Sequence, residues 1–160
     1  MSRHIEIYCN GCALNNGKEN AVATYAVAMI VLDDGKVAHQ KLISGLCDPV
    51  CSTNNYAEIT AILEGLKCIK LESRALRTVV KTTSQYVVNA ISGAWEIKTN
   101  ADKFAELRDL MNTFKDISVE WTPRKSWNIY NEKSDEMALN AAIAYAEDNG
   151  ISYRLFEKRG

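Results

Sequence analysis

Three β-forming segments follow one another in the first 46 residues, and the turns between them leave little choice in how they run. In residues 4–10, HIEIYCN, the apolar Ile5, Ile7 and Cys9 alternate with Glu6, Tyr8 and Asn10. In IYCNGCALNNG, Gly11 and the polar run after it then signal the strand's end and put Asn10 at its carboxyl terminus. Residues 21–32, AVATYAVAMIVL, form a long second strand of Val, Ile and small residues. The DDGK that follows is a hairpin signal, and 36–45 supply a third strand. Strands joined this tightly pair antiparallel, so the chain opens as a three-stranded meander.

The rest of the chain changes period. After a proline loop and a Ser/Thr/Asn helix start, CDPVCSTNN, residues Ile59, Ile62, Leu63, Leu66 and Ile69 recur at helical spacing over about 54–70. RTVVKT, 77–82, reads as a short buried strand, and SQYVVNAISG as a short helix stopped by Gly93. Phe104, Leu107, Met111 and Phe114 stripe another helix, and Ile117, Val119 and Trp121 alternate as a fifth strand. An alanine-rich helix runs over about 131–148, and 151–160 read as a tail. The order β-β-β-α-β-α-α-β-α, without repeats or linkers, describes one α/β domain over 1–150 with a five-stranded mixed sheet and helices on both faces. The fourth strand enters by a crossover helix, which puts it parallel to the first and beside it. Their carboxyl ends, near Asn10 and Thr83, then meet where such sheets place ligands.

A formal net charge of -1 and a pI near 6.1 exclude a strongly basic nucleic-acid binder, though not a local basic patch. No window approaches the ~20 apolar residues of a membrane-spanning helix, and MSRHIEIYCN is no signal peptide. The expected setting is intracellular and reducing, cytoplasmic or nuclear, with no membrane partner. Five cysteines, Cys9, Cys12, Cys47, Cys51 and Cys68, are an odd number for a disulfide framework. CNGC and CDPVC have metal-like spacing, but Cys9 falls on a strand face opposite Asn10, so core and loop thiols are the expectation rather than zinc.

Four segments, IEIYCNG, STNNYAEI, KTTSQYV and NEKSDEMA, occur in the order and spacing of type 1 ribonuclease H, over about residues 4–147. The resemblance implies the ribonuclease H-like fold. It also implies a two-metal nuclease acting on the RNA strand of an RNA–DNA hybrid, with four carboxylates around two Mg²⁺ ions. At the matching positions this chain has Asn10, Glu58, Thr83 and Asp135. Two acids are kept and two are neutral, so the catalytic set is not intact as the family has it. Lys125 stands where the family has a loop histidine, and a lysine does not ferry protons near neutral pH unless strongly perturbed. Neighbouring acids offer no replacement: Glu6 lies four residues back, more than ~10 Å at ~3.3 Å per residue. Asp33 and Asp34 are at the hairpin, and Glu132 and Glu136 fall on other faces of the last helix. The expected cofactor requirement is none, with weak Mg²⁺ or Mn²⁺ binding at Glu58 and Asp135 at most. For these two acids a plain alternative is a charge in the first turn of a helix.

The resemblance also covers uncharged positions that touch nucleic acid: Asn16, Asn54, Asn55, Gln85, Ser84, with Lys125 beside them. Side-chain amides suit the wide, shallow minor groove of hybrid and A-form duplexes. The same residue types also serve as turns and helix caps. Arg124, Lys125 and Trp127 make a cationic, aromatic loop, for which phosphate contact and plain solvation are both open; Trp127 in the second case covers the last helix. The basic, tryptophan-bearing handle of many family members is reduced to Trp95 and Lys98 here, with Trp95 expected to be packed. The leading expectation is an impaired or inactive ribonuclease H-like domain that binds an RNA–DNA hybrid or RNA duplex without efficient cleavage. A protein-interaction module, working through a protein partner or larger complex, and a residual metal-dependent endonuclease are the alternatives.

Overall fold

The computed structural model describes residues 2–155. Strands β1 (Arg3–Leu14), β2 (Val22–Asp33) and β3 (Lys36–Leu46) form the antiparallel meander. Helix α1 (Asn54–Lys67) and a 3₁₀ turn (Leu71–Ala75) lead to β4 (Arg77–Thr82). Helices α2 (Gln85–Ser92) and α3 (Ala101–Met111), strand β5 (Ile117–Trp121) and helix α4 (Ile129–Asp148) complete the order. The sheet runs β3-β2-β1-β4-β5, with β4 parallel to both β1 and β5. This is the expected five-stranded mixed sheet, with the fourth strand beside the first.

The two faces of β1 are read directly from its alternation. Ile5, Ile7 and Cys9 enter the core under α1, with Ile59, Ile62, Leu66 and, from the next helices, Val87, Phe104 and Leu107. Cys12 and Leu14 face the other way and pack with Val22, Ala26 and the Ala138, Ala142, Ala146 stripe of α4. Alanines four apart present almost no side chain, so the α4 backbone rides close to the sheet, close enough for the Thr24 hydroxyl to donate to the Ala138 carbonyl. β3 is an edge strand and is largely exposed. Among the described residues no helix is long and apolar enough to cross a membrane.

Three boundaries differ from the sequence expectation. β1 does not stop at Gly11 but continues to Leu14, paired with β2 as far as Val22. Gly11 is there for a close approach instead: a Cβ would sit 2.5 Å from the Ala57 carbonyl carbon and the Glu58 nitrogen of α1. The turn falls at the polar residues beyond Leu14, where Asn15 (φ 54°) and Gly17 (φ 83°) take left-handed conformations. Asn10 is therefore inside β1, at the point where pairing to β4 ends with Cys9 opposite Thr82 and pairing to β2 goes on. Helix α1 ends at Lys67, about three residues short of the expected end, and residues 68–70 lead out of it into the separate 3₁₀ segment. Helix α4 begins two residues early, because the Asn128 side chain accepts from the Tyr130 and Asn131 N–H groups and caps it.

The described part of the expected tail is docked. Ile151 N–H donates to the Ala146 carbonyl, Asn15 Nδ2 donates to the Ser152 carbonyl at 2.9 Å, and Ile151 and Tyr153 pack on the α4 core. The remainder of the 151–160 segment lies outside the described residues.

Candidate functional site

The carboxyl end of the β1–β4 parallel pair is roofed by the starts of α1, α2 and α4 and by the loop 122–128. Asn10 lies on the α4 face of β1 and is 1 % exposed. Its Nδ2 donates to Ser134 Oγ at 2.6 Å and lies 3.2 Å from Asn131 Oδ1 and 3.3 Å from the Asn131 carbonyl. Its Oδ1 accepts from the Thr83 hydroxyl at 3.3 Å, the same hydroxyl being 3.4 Å from Glu58 Oε2. Asn131 and Ser134 are themselves fully buried. Asn131 Nδ2 donates onward to the Arg124 carbonyl (3.2 Å) and to Ser126 Oγ (3.3 Å). A neutral hydrogen-bond network thus ties β1, β4, α4 and the loop together at this spot.

The two acids lie on either side of this network. Glu58 is 3 % exposed, and its Oε1 accepts the Gly11 N–H, which the missing Gly11 side chain lets come close. Burial pushes the Glu58 carboxyl up from 4.5 to about 7, against the lowering pull of the Gly11 N–H, the Arg124 charge and the Thr83 hydroxyl, and with the Asp135 carboxylate adding to the rise. Asp135 is half-buried and its Oδ1 lies 3.3 Å from Arg124 Nη1. Glu58 and Asp135 both stand in the second turn of their helices, Glu58 four residues into α1 and Asp135 six into α4. The reading of them as first-turn charges is therefore corrected: helix starts at Asn54 and Ile129 place them too far along for the dipole to be their reason.

The structure brings Asn10, Glu58, Thr83 and Asp135 to one place, the parallel β1–β4 pairing accounting for Asn10 and Thr83 and the starts of α1 and α4 for the two acids. It treats the uncharged positions unevenly. A cavity of about 370 Å³ is lined by Asn54, Asn55, Ser84, Gln85, Trp121 and Arg124, with Glu58 and Thr83 in its wall. A second, of about 640 Å³, shares Asn54 and Asn55 and extends past Asn16, Gly17 and Asn100. Thr53, not Asn54, caps α1; the Asn54 N–H instead donates to Asn16 Oδ1 at 2.9 Å, so Asn16 acts in part as a second cap. Ser84 is buried, and its hydroxyl accepts from the Val87 N–H as the α2 cap. Asn55 and Gln85 are exposed. Lys125 is exposed on its loop and outside the lining of both cavities.

Other expectations change. Trp127 does not cover the last helix; it is 88 % exposed, turned outward by a left-handed backbone (φ 58°), and Tyr130 stacks on Tyr8 instead. Trp95 is 51 % exposed rather than packed, because Ile97 is the residue of that loop that reaches the core. Glu6 is held by the Tyr8 hydroxyl (2.7 Å) and by His4 (3.1 Å) and is turned to that cluster. Cys9 and Cys12 point to opposite faces of β1. Among the described residues no three His, Cys, Asp or Glu side chains converge as a metal-holding group.

Asn131 and Ser134 were not singled out from the sequence. Their signal was their place on the stripe 131, 134, 138, 142, 146, whose alanines mark the sheet-facing side of α4. The ion pair of Arg124 with Asp135 crosses from a loop to a helix and had no local signal.

The RNase H family model matches residues 2–143. Ribonuclease H of Helicobacter acinonychis (strain Sheeba) is 30% identical over 144 residues, covering 85% of this chain and 91% of that protein. The N-terminal RNase H domain of rv2228c from Mycobacterium tuberculosis, solved as a fusion with maltose-binding protein, superposes with a TM-score of 0.69 at 25% identity, over 92% of this chain and 99% of that one. LC11-RNase H1, solved in complex with an RNA/DNA hybrid, superposes with a TM-score of 0.65 at 22% identity, over 88% and 98%. The chain belongs to the RNase H family.

Proposed function

We propose that this protein binds an RNA–DNA hybrid or RNA duplex along the trough beside α1 and α2, without efficient metal-dependent cleavage. The observation that carries the reading is the state of Asn10: a buried amide whose donor group faces Asn131 and Ser134, in a network closed by Thr83. Family chemistry asks for two hard divalent cations held by anionic oxygens. The donor set does not fit them. Glu58 spends Oε1 on Gly11 and is pushed up to about 7, Asp135 is paired with a guanidinium, and Asn10 turns an N–H₂ group toward the helix.

What the residues offer a duplex is shape and neutral hydrogen bonding. Asn54, Asn55 and Gln85 present amides along the trough, and such groups match 2′-hydroxyls and base edges without reading sequence. LC11-RNase H1 was solved with an RNA/DNA hybrid. A metal-dependent ribonuclease is the second reading, favoured by the relatives being ribonucleases H and by the retention of Glu58 and Asp135.

The test is a low-salt titration of an end-labelled RNA–DNA hybrid, run with Mg²⁺ and with chelator, reading mobility shift and cleavage together. The expected result is a shift in both conditions, weakened by Gln85→Ala and Asn54→Ala, with the RNA strand intact. Cleavage in Mg²⁺ at a rate typical of the family overturns the non-cleaving reading. No shift at micromolar protein overturns binding and leaves the exposed β3 edge, and a protein partner, as the place to look.

A further inference from the structure

Arg124 occupies the position from which a positive charge reaches both acids of the cleft. Its Nη1 is 3.3 Å from Asp135 Oδ1, its charge acts on Glu58, and its side chain lines the 370 Å³ cavity together with Glu58 and Thr83. The loop that carries it is fixed from behind. Asn131 Nδ2 donates to the Arg124 carbonyl at 3.2 Å and to Ser126 Oγ at 3.3 Å, while Asn131 Oδ1 receives Asn10. The neutral network around Asn10 and the placement of the guanidinium are therefore one construction, sharing Asn131.

We propose that Arg124 is the resident cation of this cleft: its guanidinium pairs with Asp135 beside Glu58 in place of a divalent metal, and offers its remaining N–H groups to a duplex phosphate. A guanidinium stays protonated, carries five N–H donors and matches phosphate oxygens in pairs, and the contact to Asp135 engages one of its nitrogens. A divalent ion approaching Asp135 meets this fixed positive charge before it meets ligands enough to shed its water. The Arg124–Asp135 pair and the cavity wall shared with Glu58 exclude the metal whether or not a duplex binds. The phosphate contact rests on the duplex-binding reading above.

Two measurements separate these parts. The first titrates Mn²⁺ alone, followed by electron paramagnetic resonance, into the wild type, Arg124→Gln and Arg124→Lys. The wild type and Arg124→Lys are expected to bind no tighter than millimolar, and Arg124→Gln at least tenfold tighter. Asn131 holds the loop through the peptide carbonyl of Arg124, so both variants keep its position, which circular dichroism and thermal melting check. Tight Mn²⁺ binding by the wild type, or no gain in Arg124→Gln, overturns the proposal. The second measures hybrid affinity in chelator against salt concentration. Arg124→Gln is expected to lose about tenfold in affinity and about one unit of the slope of log K against log salt. An unchanged slope and affinity overturn the phosphate contact. A wild type that binds no duplex at all removes the functional reading instead, and the Mn²⁺ titration still decides whether Arg124 has taken the metal's place.

Discussion

The side-chain amide of Asn10 donates to the Ser134 hydroxyl at 2.6 Å, and the same Nδ2 faces two oxygens of Asn131. A carboxylate cannot make these contacts. In Asn10→Asp one oxygen would confront the Asn131 carbonyl and Oδ1, with only the Ser134 and Thr83 hydroxyls left as donors. Both oxygens are buried, so an uncompensated charge there costs about 2–4 kcal/mol. For a chain of this size that lowers the melting temperature by roughly 5–12 °C at pH 7. The loss should shrink as pH falls and the introduced carboxyl takes up a proton. Asn10→Asp is therefore destabilising at neutral pH, and scanning calorimetry at pH 5 and 7 reads both effects. An Asn10→Asp variant as stable as the wild type at pH 7 would show that the network is not what fixes the amide.

Glu58 makes stability depend on pH in a definite direction. Its carboxyl is raised, chiefly by burial, from 4.5 to about 7. A group raised in the folded state contributes fully at pH below its ordinary value and loses that contribution as pH climbs through about 7. The 2.5 pH units between 4.5 and 7, at ~1.4 kcal/mol each, bound the effect at roughly 3.5 kcal/mol. Glu58→Gln keeps an oxygen for the Gly11 N–H and has no charge to bury. Urea unfolding should find the two proteins nearly equal at pH 5 and the variant more stable by about 1–3 kcal/mol at pH 8. A gap that stays constant over this range would mean that Glu58 is not the titrating group.

Much of this was legible because it is local or periodic. The meander follows from alternation and the DDGK turn, and the meeting of Asn10 with Thr83 follows from one crossover helix. The boundaries that moved did so for tertiary reasons. Gly11 reads as a strand stop but is a packing glycine under α1, a fact visible only once Ala57 and Glu58 are overhead. Asn128 and Asn131 look alike in sequence, yet one caps α4 and the other is buried in its second half-turn as the hub of the site. The Arg124–Asp135 pair was out of reach because its placement depends on Asn131 holding the loop.

Adjacent residues of α2 should separate structure from recognition. Ser84 is buried and caps the helix through the Val87 N–H, whereas Gln85 is exposed in the wall of the 370 Å³ cavity. Ser84→Ala should cost about 1 kcal/mol of stability through the lost cap. Gln85→Ala should leave stability within about 0.5 kcal/mol, as exposed positions usually do. Its hybrid affinity should fall about fivefold, the worth of one hydrogen bond. Chemical denaturation and fluorescence anisotropy give the two readouts. Equal losses of stability and affinity in both variants would undo the distinction.

Trp127 carries a cost that its surroundings do not repay. Its backbone is left-handed (φ 58°), a conformation unfavourable for a bulky side chain by about 1–2 kcal/mol, and its ring is 88 % exposed. The next residue, Asn128, must be held in place to cap α4 and to donate to the Tyr8 hydroxyl, and that requirement fixes the turn. Trp127→Gly satisfies the same turn without a Cβ, so it should stabilise the protein by about 0.5–1 kcal/mol and raise the melting temperature by roughly 1–4 °C. Trp127→Ala keeps the Cβ and should gain little. If the glycine variant is destabilised instead, the indole makes a contact that outweighs its backbone. If it is stabilised but loses hybrid affinity, the exposed ring is retained for stacking on the nucleic acid rather than for the fold.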